Sequence, residues 1–191
     1  MREQQCDYVL KTASERGVRM VRLWFTDVLG NLKSFAISQN ELENALNDGM
    51  TFDGSSIDGF SRVQESDVLA IPDPDTFQIL PFGDKDAPEA RVFCDIHHLN
   101  GSAFTGDPRQ VLRRHVEAAR SEGLTFYIAP DIEFFYFTPP QPGERPTPLD
   151  FGGYFDLTTR DVTGDLRKQT IRTLEQIGIP VEYSFHEDSP S

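Results

Sequence analysis

Residues 18–37 read VRMVRLWFT (18–26), DVLGN (27–31) and LKSFAI (32–37). Both flanks are apolar and rich in β-formers, while Gly30 and Asn31 supply the residues that turn a chain with least steric penalty. The stretch predicts strand–turn–strand. Just beyond it, Ser38 followed by Glu41 makes a capping box that opens a helix over about 39–47, with Gly49 as its stop. Upstream, residues 3–16 read as a short amphipathic helix with Tyr8, Val9 and Ala13 available for one face. Downstream, strands recur near 67–71, 77–80 and 90–96, broken by Pro72-Asp73-Pro74 and by Gly83 to Pro88. Strands with one packed helix in about 85 residues indicate a small α+β domain. The order of hairpin, helix and further strands fits a β-grasp layout, although the pattern alone does not single out that fold.

A boundary falls near 99–106, where Asn100-Gly101-Ser102 and Gly106 interrupt the pattern. Asp107 at the N-cap and Pro108 at the first helical position then start a second helix. Val111, Leu112, His115, Val116 and Ala119 follow at helical spacing, and Gly123 ends it. Residues 124–137 (LTFYIAPDIEFFYF) are strand-like with a break at Pro130; a Pro-rich loop over 138–150, a helix near 165–177 and a strand at 181–186 follow. This half resembles the beginning of a larger α/β or α+β domain. The expected division is 14–101 and 107–191.

Bulk properties narrow the function classes. Apolar residues make up 38% of the 191, and 15 of them are Phe, enough for a real core. The net charge of −13 argues against nucleic acid or an anionic membrane as partner. No apolar run approaches the roughly 20 residues of a membrane span, and the polar start Met1-Arg2-Glu3-Gln4-Gln5 lacks the apolar core of a signal peptide. Cys6 and Cys94 match neither a disulfide framework nor a metal-ligand spacing, so they read as reduced, buried thiols of a cytoplasmic protein.

Three segments could carry chemistry. FDGSSIDGF (52–60) sets two glycines and two serines among acids, a loop whose backbone can approach a ligand closely. Composition alone also reads it as an ordinary turn; Phe52 and Phe60, which would anchor both ends, favour the functional reading. In Pro130 to Phe137, Asp131 and Glu133 share a face if the segment is extended, with carboxylates about 7 Å apart that repel unless water or a cation screens them. Hard oxygens at this spacing suit Mg²⁺ or Mn²⁺; the alternative is a strand end whose acids point to solvent. In Val181 to Glu187, Glu182, Ser184 and His186 would share one face, and a lone His beside Glu is more often a satisfied structural group than a metal ligand.

Each segment is weak alone, but their order and spacing match one family. VRLWFTDVLGNLKS (21–34), FDGSSIDGF (52–60), ESD (65–67) before PDP (72–74), ARVFCDI (90–96), DIEFF (131–135), GGYFD (152–156) and LEQIGIPVEYSFHE (174–187) resemble glutamine synthetase throughout, in its bacterial type I form. The resemblance implies a β-grasp-like N-terminal domain followed by the first part of a catalytic α/β domain.

It also implies an activity: ATP-dependent ligation of ammonium to glutamate through γ-glutamyl phosphate, in a cytoplasmic homo-oligomer, a dodecamer. Two divalent ions, Mg²⁺ or Mn²⁺, neutralise the phosphates in such a transfer. By resemblance, Glu133 and Glu187 match ligands of one ion and Asp131 a ligand of the other, while Glu182 matches a residue that contacts ATP. Asp53 matches the acid that attracts ammonium and helps deprotonate it in a neighbouring subunit's site, flanked by Ser56 and Tyr154. The sequence departs from the family at two of these places. Asp131 stands where Glu is usual, setting its oxygen back by more than about 1 Å, and Phe185 stands where His is frequent.

The family's further metal ligands and its glutamate-binding arginines lie beyond the part matched here, so the chain alone is expected to be inactive. Two other readings are compatible with the motifs: a γ-glutamyl ligase acting on a bulkier amine, and a non-catalytic relative retained for its oligomeric scaffold.

Overall fold

The computed structural model describes residues 2–55, 57, 67–157 and 163–190. The chain forms two compact units, 1–126 and 127–191.

In the first unit, helix α1 (Arg2–Glu15) precedes strands β1 (Met20–Thr26) and β2 (Leu32–Ser38). The antiparallel register runs from Met20 opposite Ser38 to Thr26 opposite Leu32, as the 18–37 pattern predicts. Gly30, at φ +82°, and Asn31 make the turn between them, and Asp27 ties it together. Asp27 is 1% exposed; its carboxylate accepts the N–H groups of Leu29 (2.9 Å) and Asn31 (2.8 Å) and the Asn31 amide (3.0 Å), and pairs with Lys33 at 3.3 Å.

After β2 come a 3₁₀ turn (Gln39–Glu41), α2 (Leu42–Asp48) and β3 (Met50–Asp53). Ser38 has the extended backbone of an N-cap, but its side chain makes no capping bond. Glu41 accepts from the Asn44 amide at 3.3 Å instead of reaching back, so the first turn tightens to 3₁₀ and the capping box is not formed. Gly49 ends α2 at φ +77° and ψ −179°, a region open essentially to glycine.

Strands β4 (Asp67–Pro72), β5 (Gln78–Ile79) and β6 (Glu89–His98) complete the sheet, in the order β2-β1-β6-β4-β3 with β5 also on β6. β6 is its spine. Its first half lies between β1, which it pairs in parallel, and β5; its second half pairs antiparallel with β4. Alternation along the strands puts Val21, Leu23, Phe25, Val68, Ala70, Ala90, Val92, Cys94 and Ile96 on one buried face, together with Cys6, Val9, Ala13, Leu42, Ala45 and Leu46 from the helices. Helix α1 buries Cys6, Val9 and Ala13, whereas Tyr8, one residue off that stripe, is exposed. Both cysteines are free and buried, and burial pushes the Cys94 thiol pKa up.

Helix α3 (Pro108–Ser121) belongs to the same compact unit. Its N-cap is Asp107, as the sequence indicates: Oδ1 accepts from Arg109 N at 3.0 Å, and Oδ2 accepts the buried N–H of Ile96 at 2.9 Å. Burial pushes the Asp107 carboxyl up against the opposing pull of those two bonds. Arg109 donates to Asp95 (3.0 Å) and Asp73, and Arg113 donates to Asp95 (2.6 Å), which fastens the first turns of α3 to β6. The apolar stripe predicted for this helix is not buried; Val111 and Leu112 are exposed and only Gln110 is covered.

In the second unit the chain forms a small hairpin, β7 (Phe137–Thr138) with β8 (Thr147–Pro148), and helix α4 (Gly164–Gln176). The strands expected over 124–137 and 181–186 are largely absent. Only Phe137 enters a ladder, and no ladder includes 181–186 among the described residues. Alternating side chains mark a surface suited to a sheet, but a strand also needs a neighbour to accept its N–H groups. In the first segment, rings two residues apart meet. Phe134 meets Tyr136 edge-on at 5.2 Å, and Phe135 stacks on Phe137 at 5.9 Å. No helix among the described residues is long and apolar enough to cross a membrane.

Candidate active site

Each unit carries part of the residue set singled out from the sequence. In the first, β3 delivers Asp53. Phe52 turns inward and its ring lies 5.0 Å from Phe25 and 5.5 Å from Phe35. Alternation along the strand therefore sends Asp53 outward at the strand end, where it is exposed and directly opposite Asp67 in the register. Asp53 Oδ1 accepts Ser55 N at 2.8 Å, and Ile57 N donates to the Gly54 carbonyl at 3.0 Å. The start of the FDGSSIDGF loop is thus a tight turn closed on the carboxylate of Asp53, with Ile57 packed against the core. Ser56 and Phe60 lie outside the described residues. The strand that places Asp53 was missed from the sequence, because four residues between Gly49 and a Gly/Ser loop give too short a period to read.

In the second unit, Asp150 to Asp156 packs on Phe185 to Glu187. His186 is 2% exposed; its Nε2 lies 2.9 Å from Asp150 Oδ1 and its Nδ1 2.7 Å from the Glu187 carbonyl oxygen. Gly152 N donates to Asp150 Oδ1 at 3.1 Å, and Phe155 N donates to the His186 carbonyl at 2.9 Å. Over this frame, Phe185 stacks on Phe155 at 4.7 Å and meets Tyr154 edge-on at 5.6 Å. The structure thereby brings Tyr154 into one cluster with the chain leading into Glu187. Phe185, which cannot hydrogen-bond as a histidine would, instead supplies the platform for both rings.

Asp131, Glu133, Glu182 and Glu187 are exposed, in stretches that are neither helix nor strand. Their hard oxygens are the donor type that Mg²⁺ or Mn²⁺ takes. Among the described residues no group of three or more His, Cys, Asp or Glu converges on a point. Asp150, half of the buried pair with His186, was not found from the sequence. An Asp two residues before a Gly signals only a local turn, and a partner 36 residues on leaves no local mark.

Residues 17–99 match the glutamine synthetase β-grasp domain family and residues 105–191 the glutamine synthetase catalytic domain family. Glutamine synthetase of Mycolicibacterium smegmatis is 51% identical over 98% of this chain and 43% of its own length. That of Halobacterium salinarum is 43% identical over 94% of this chain and 40% of its own length. The chain thus spans about two fifths of the curated relatives it matches. Among solved structures, a Plasmodium falciparum glutamine synthetase superposes with a TM-score of 0.78 at 20% identity, over all of this chain and 43% of that one. A GmaS/ADP complex gives 0.73 at 19% identity, over 95% and 42%; both likenesses concern the fold. With two domain families matched in sequence order across nearly the whole chain, and relatives of that name at up to 51% identity, the chain belongs to the glutamine synthetase family.

Proposed function

We propose that the whole protein, of which this chain carries the β-grasp domain and the first part of the catalytic domain, joins ammonium to glutamate at the expense of ATP. The observation that carries this reading is the pair of domain matches in order, with Asp53 held outward at the end of β3. A carboxylate in that position stabilises NH₄⁺ by charge and then takes a proton from it, leaving ammonia free to attack an acyl phosphate. Ser56 and Tyr154 flank the cation. Asp131, Glu133 and Glu187 would hold the divalent ions, Mg²⁺ or Mn²⁺, whose contribution is to neutralise phosphate charge; Glu182 contacts ATP.

The domains divide as 14–101 and 107–191, with α3 opening the second in sequence although it packs with the first unit. Because Asp53 serves a neighbouring subunit's site, the protein works as a homo-oligomer, a dodecamer, in the cytoplasm where ATP and glutamate are supplied.

The test is to purify the full-length protein and follow ADP and glutamine release with ammonium and, separately, with a set of primary amines. Ammonium-dependent glutamine is the expected product. Strong preference for an amine would replace this reading with that of another γ-glutamyl ligase. A folded, metal-loaded protein without turnover would replace it with a scaffold role.

A further inference from the structure

We infer that His186 is a positioning residue that holds the segment bearing Tyr154 and the backbone bearing Glu187 in one fixed relation. The inference rests on the reading above, in which Tyr154 borders the ammonium site and Glu187 binds a divalent ion. The side chain of His186 is fully buried and that of Asp150 nearly so, and both ring nitrogens face acceptor oxygens, Asp150 Oδ1 at 2.9 Å and the Glu187 carbonyl at 2.7 Å. Its own carbonyl takes the N–H of Phe155 at 2.9 Å, and Asp150 Oδ1 takes that of Gly152 at 3.1 Å. A buried ring with an acceptor oxygen at each nitrogen cannot rotate without losing both contacts.

The fit also excludes a side chain at Gly152, since a Cβ there would sit 2.7 Å from His186 Nε2. The ring, the segment and the peptide of Glu187 are therefore set together. An apolar filler could replace the packing of His186 but not its two directional bonds. Groups that orient a metal ligand in this way typically carry about 10- to 100-fold in metal affinity.

The experiment uses the full-length protein, with Mn²⁺ binding measured by the electron paramagnetic resonance signal of the free ion and ammonium KM measured separately from kcat. His186→Ala and Asp150→Ala are expected to raise the Mn²⁺ dissociation constant about 10- to 100-fold and to raise the ammonium KM. Asp150→Asn, which keeps an oxygen acceptor, is expected to recover most of that loss. If Asn is no better than Ala, the hydrogen bond does not hold the ring and the inference is overturned. Should His186→Ala melt without cooperativity, Gly152→Ala decides the matter, because it keeps every hydrogen-bonding group and its added methyl meets the ring first. A cooperatively melting Gly152→Ala or His186→Ala protein with Mn²⁺ affinity and ammonium KM both within about twofold of the parent would likewise overturn it. Glu187→Ala is the control for the underlying assignment. If it leaves Mn²⁺ affinity intact, the metal role of Glu187 fails, whatever the His186 variants do.

Discussion

Asp27 illustrates how one side chain closes the hairpin on which the first domain is built. Burial pushes its carboxyl pKa up, but the bonds from the Asn31 side chain and N–H, from Lys33 and from the Leu29 N–H together bring it below its ordinary value of 3.8. A group depressed in the folded state stabilises the fold above its unfolded pKa, and that stability fades as the pH drops through the lower folded value. The chain should therefore lose part of its urea resistance below about pH 4. Asp27→Asn should be weaker at neutral pH yet lose less than the parent on acidification; parallel losses in the two proteins would refute this account of the turn. Asp53 differs in kind, being exposed at the end of a strand rather than buried in a turn, so its replacement should disturb chemistry more than folding. In the full-length protein, Asp53→Ala should lower kcat about a hundredfold or more while leaving ATP affinity nearly unchanged. A matching fall in nucleotide affinity, measured by calorimetry, would remove it from the ammonium site.

At the scale of elements, the junction between α2 and β3 has no room for a side chain. Gly49 has a backbone conformation that side chains avoid, and a Cβ there would come 2.9 Å from the Ala70 carbonyl oxygen. Gly49→Ala should cost about 1–3 kcal/mol, read as a lower urea midpoint with an unchanged slope; a loss under a few tenths would mean that β3 shifts freely. The sequence announced Gly49 as a helix stop because φ > 0 at a helix end is a local requirement. It also announced β1, β2, β4, β6, α3 and α4, whose periodicities or caps are contained within the elements themselves. What stayed hidden is non-local. The parallel pairing of β1 with β6, the fastening of α3 through Asp73, Asp95, Arg109 and Arg113, and the Asp150–His186 pair all join residues far apart along the chain. The opposite error occurred at 124–137 and 181–186, where alternation was legible but the partners that would convert it into a sheet were not. For the site, the motif loop and the candidate ligands were visible as residue types, whereas the Phe185 platform under Tyr154 depends on a fold that no local pattern encodes.

For the molecule as a whole, the decisive feature is the apolar surface left open in and beside the second unit. Tyr127 is 93% exposed, Ile128 82% and Ile132 72%, in chain outside helix and strand that joins no ladder among the described residues. Phe126, Phe134 and Phe135 add exposed rings along the same run. Exposed apolar side chains of this kind, on backbone that joins no ladder among the described residues, offer a template for strand addition from another chain. The net charge of −13 opposes such association, but salt at physiological strength screens it beyond about 8 Å, which leaves short-range apolar contact to decide. The 191-residue chain, spanning 43% of the length of its Mycolicibacterium smegmatis relative, is accordingly expected to associate in solution and to form no glutamine from ATP, glutamate and ammonium. Light scattering across a concentration series should show mass rising with concentration and with added salt. The double variant Tyr127→Asp, Ile128→Lys should suppress that rise without altering the melting of the β-grasp unit, since neither residue touches its core. A monodisperse, cooperatively melting monomer would show instead that residues 124–137 find sufficient cover within the chain, and that the second unit is a finished domain.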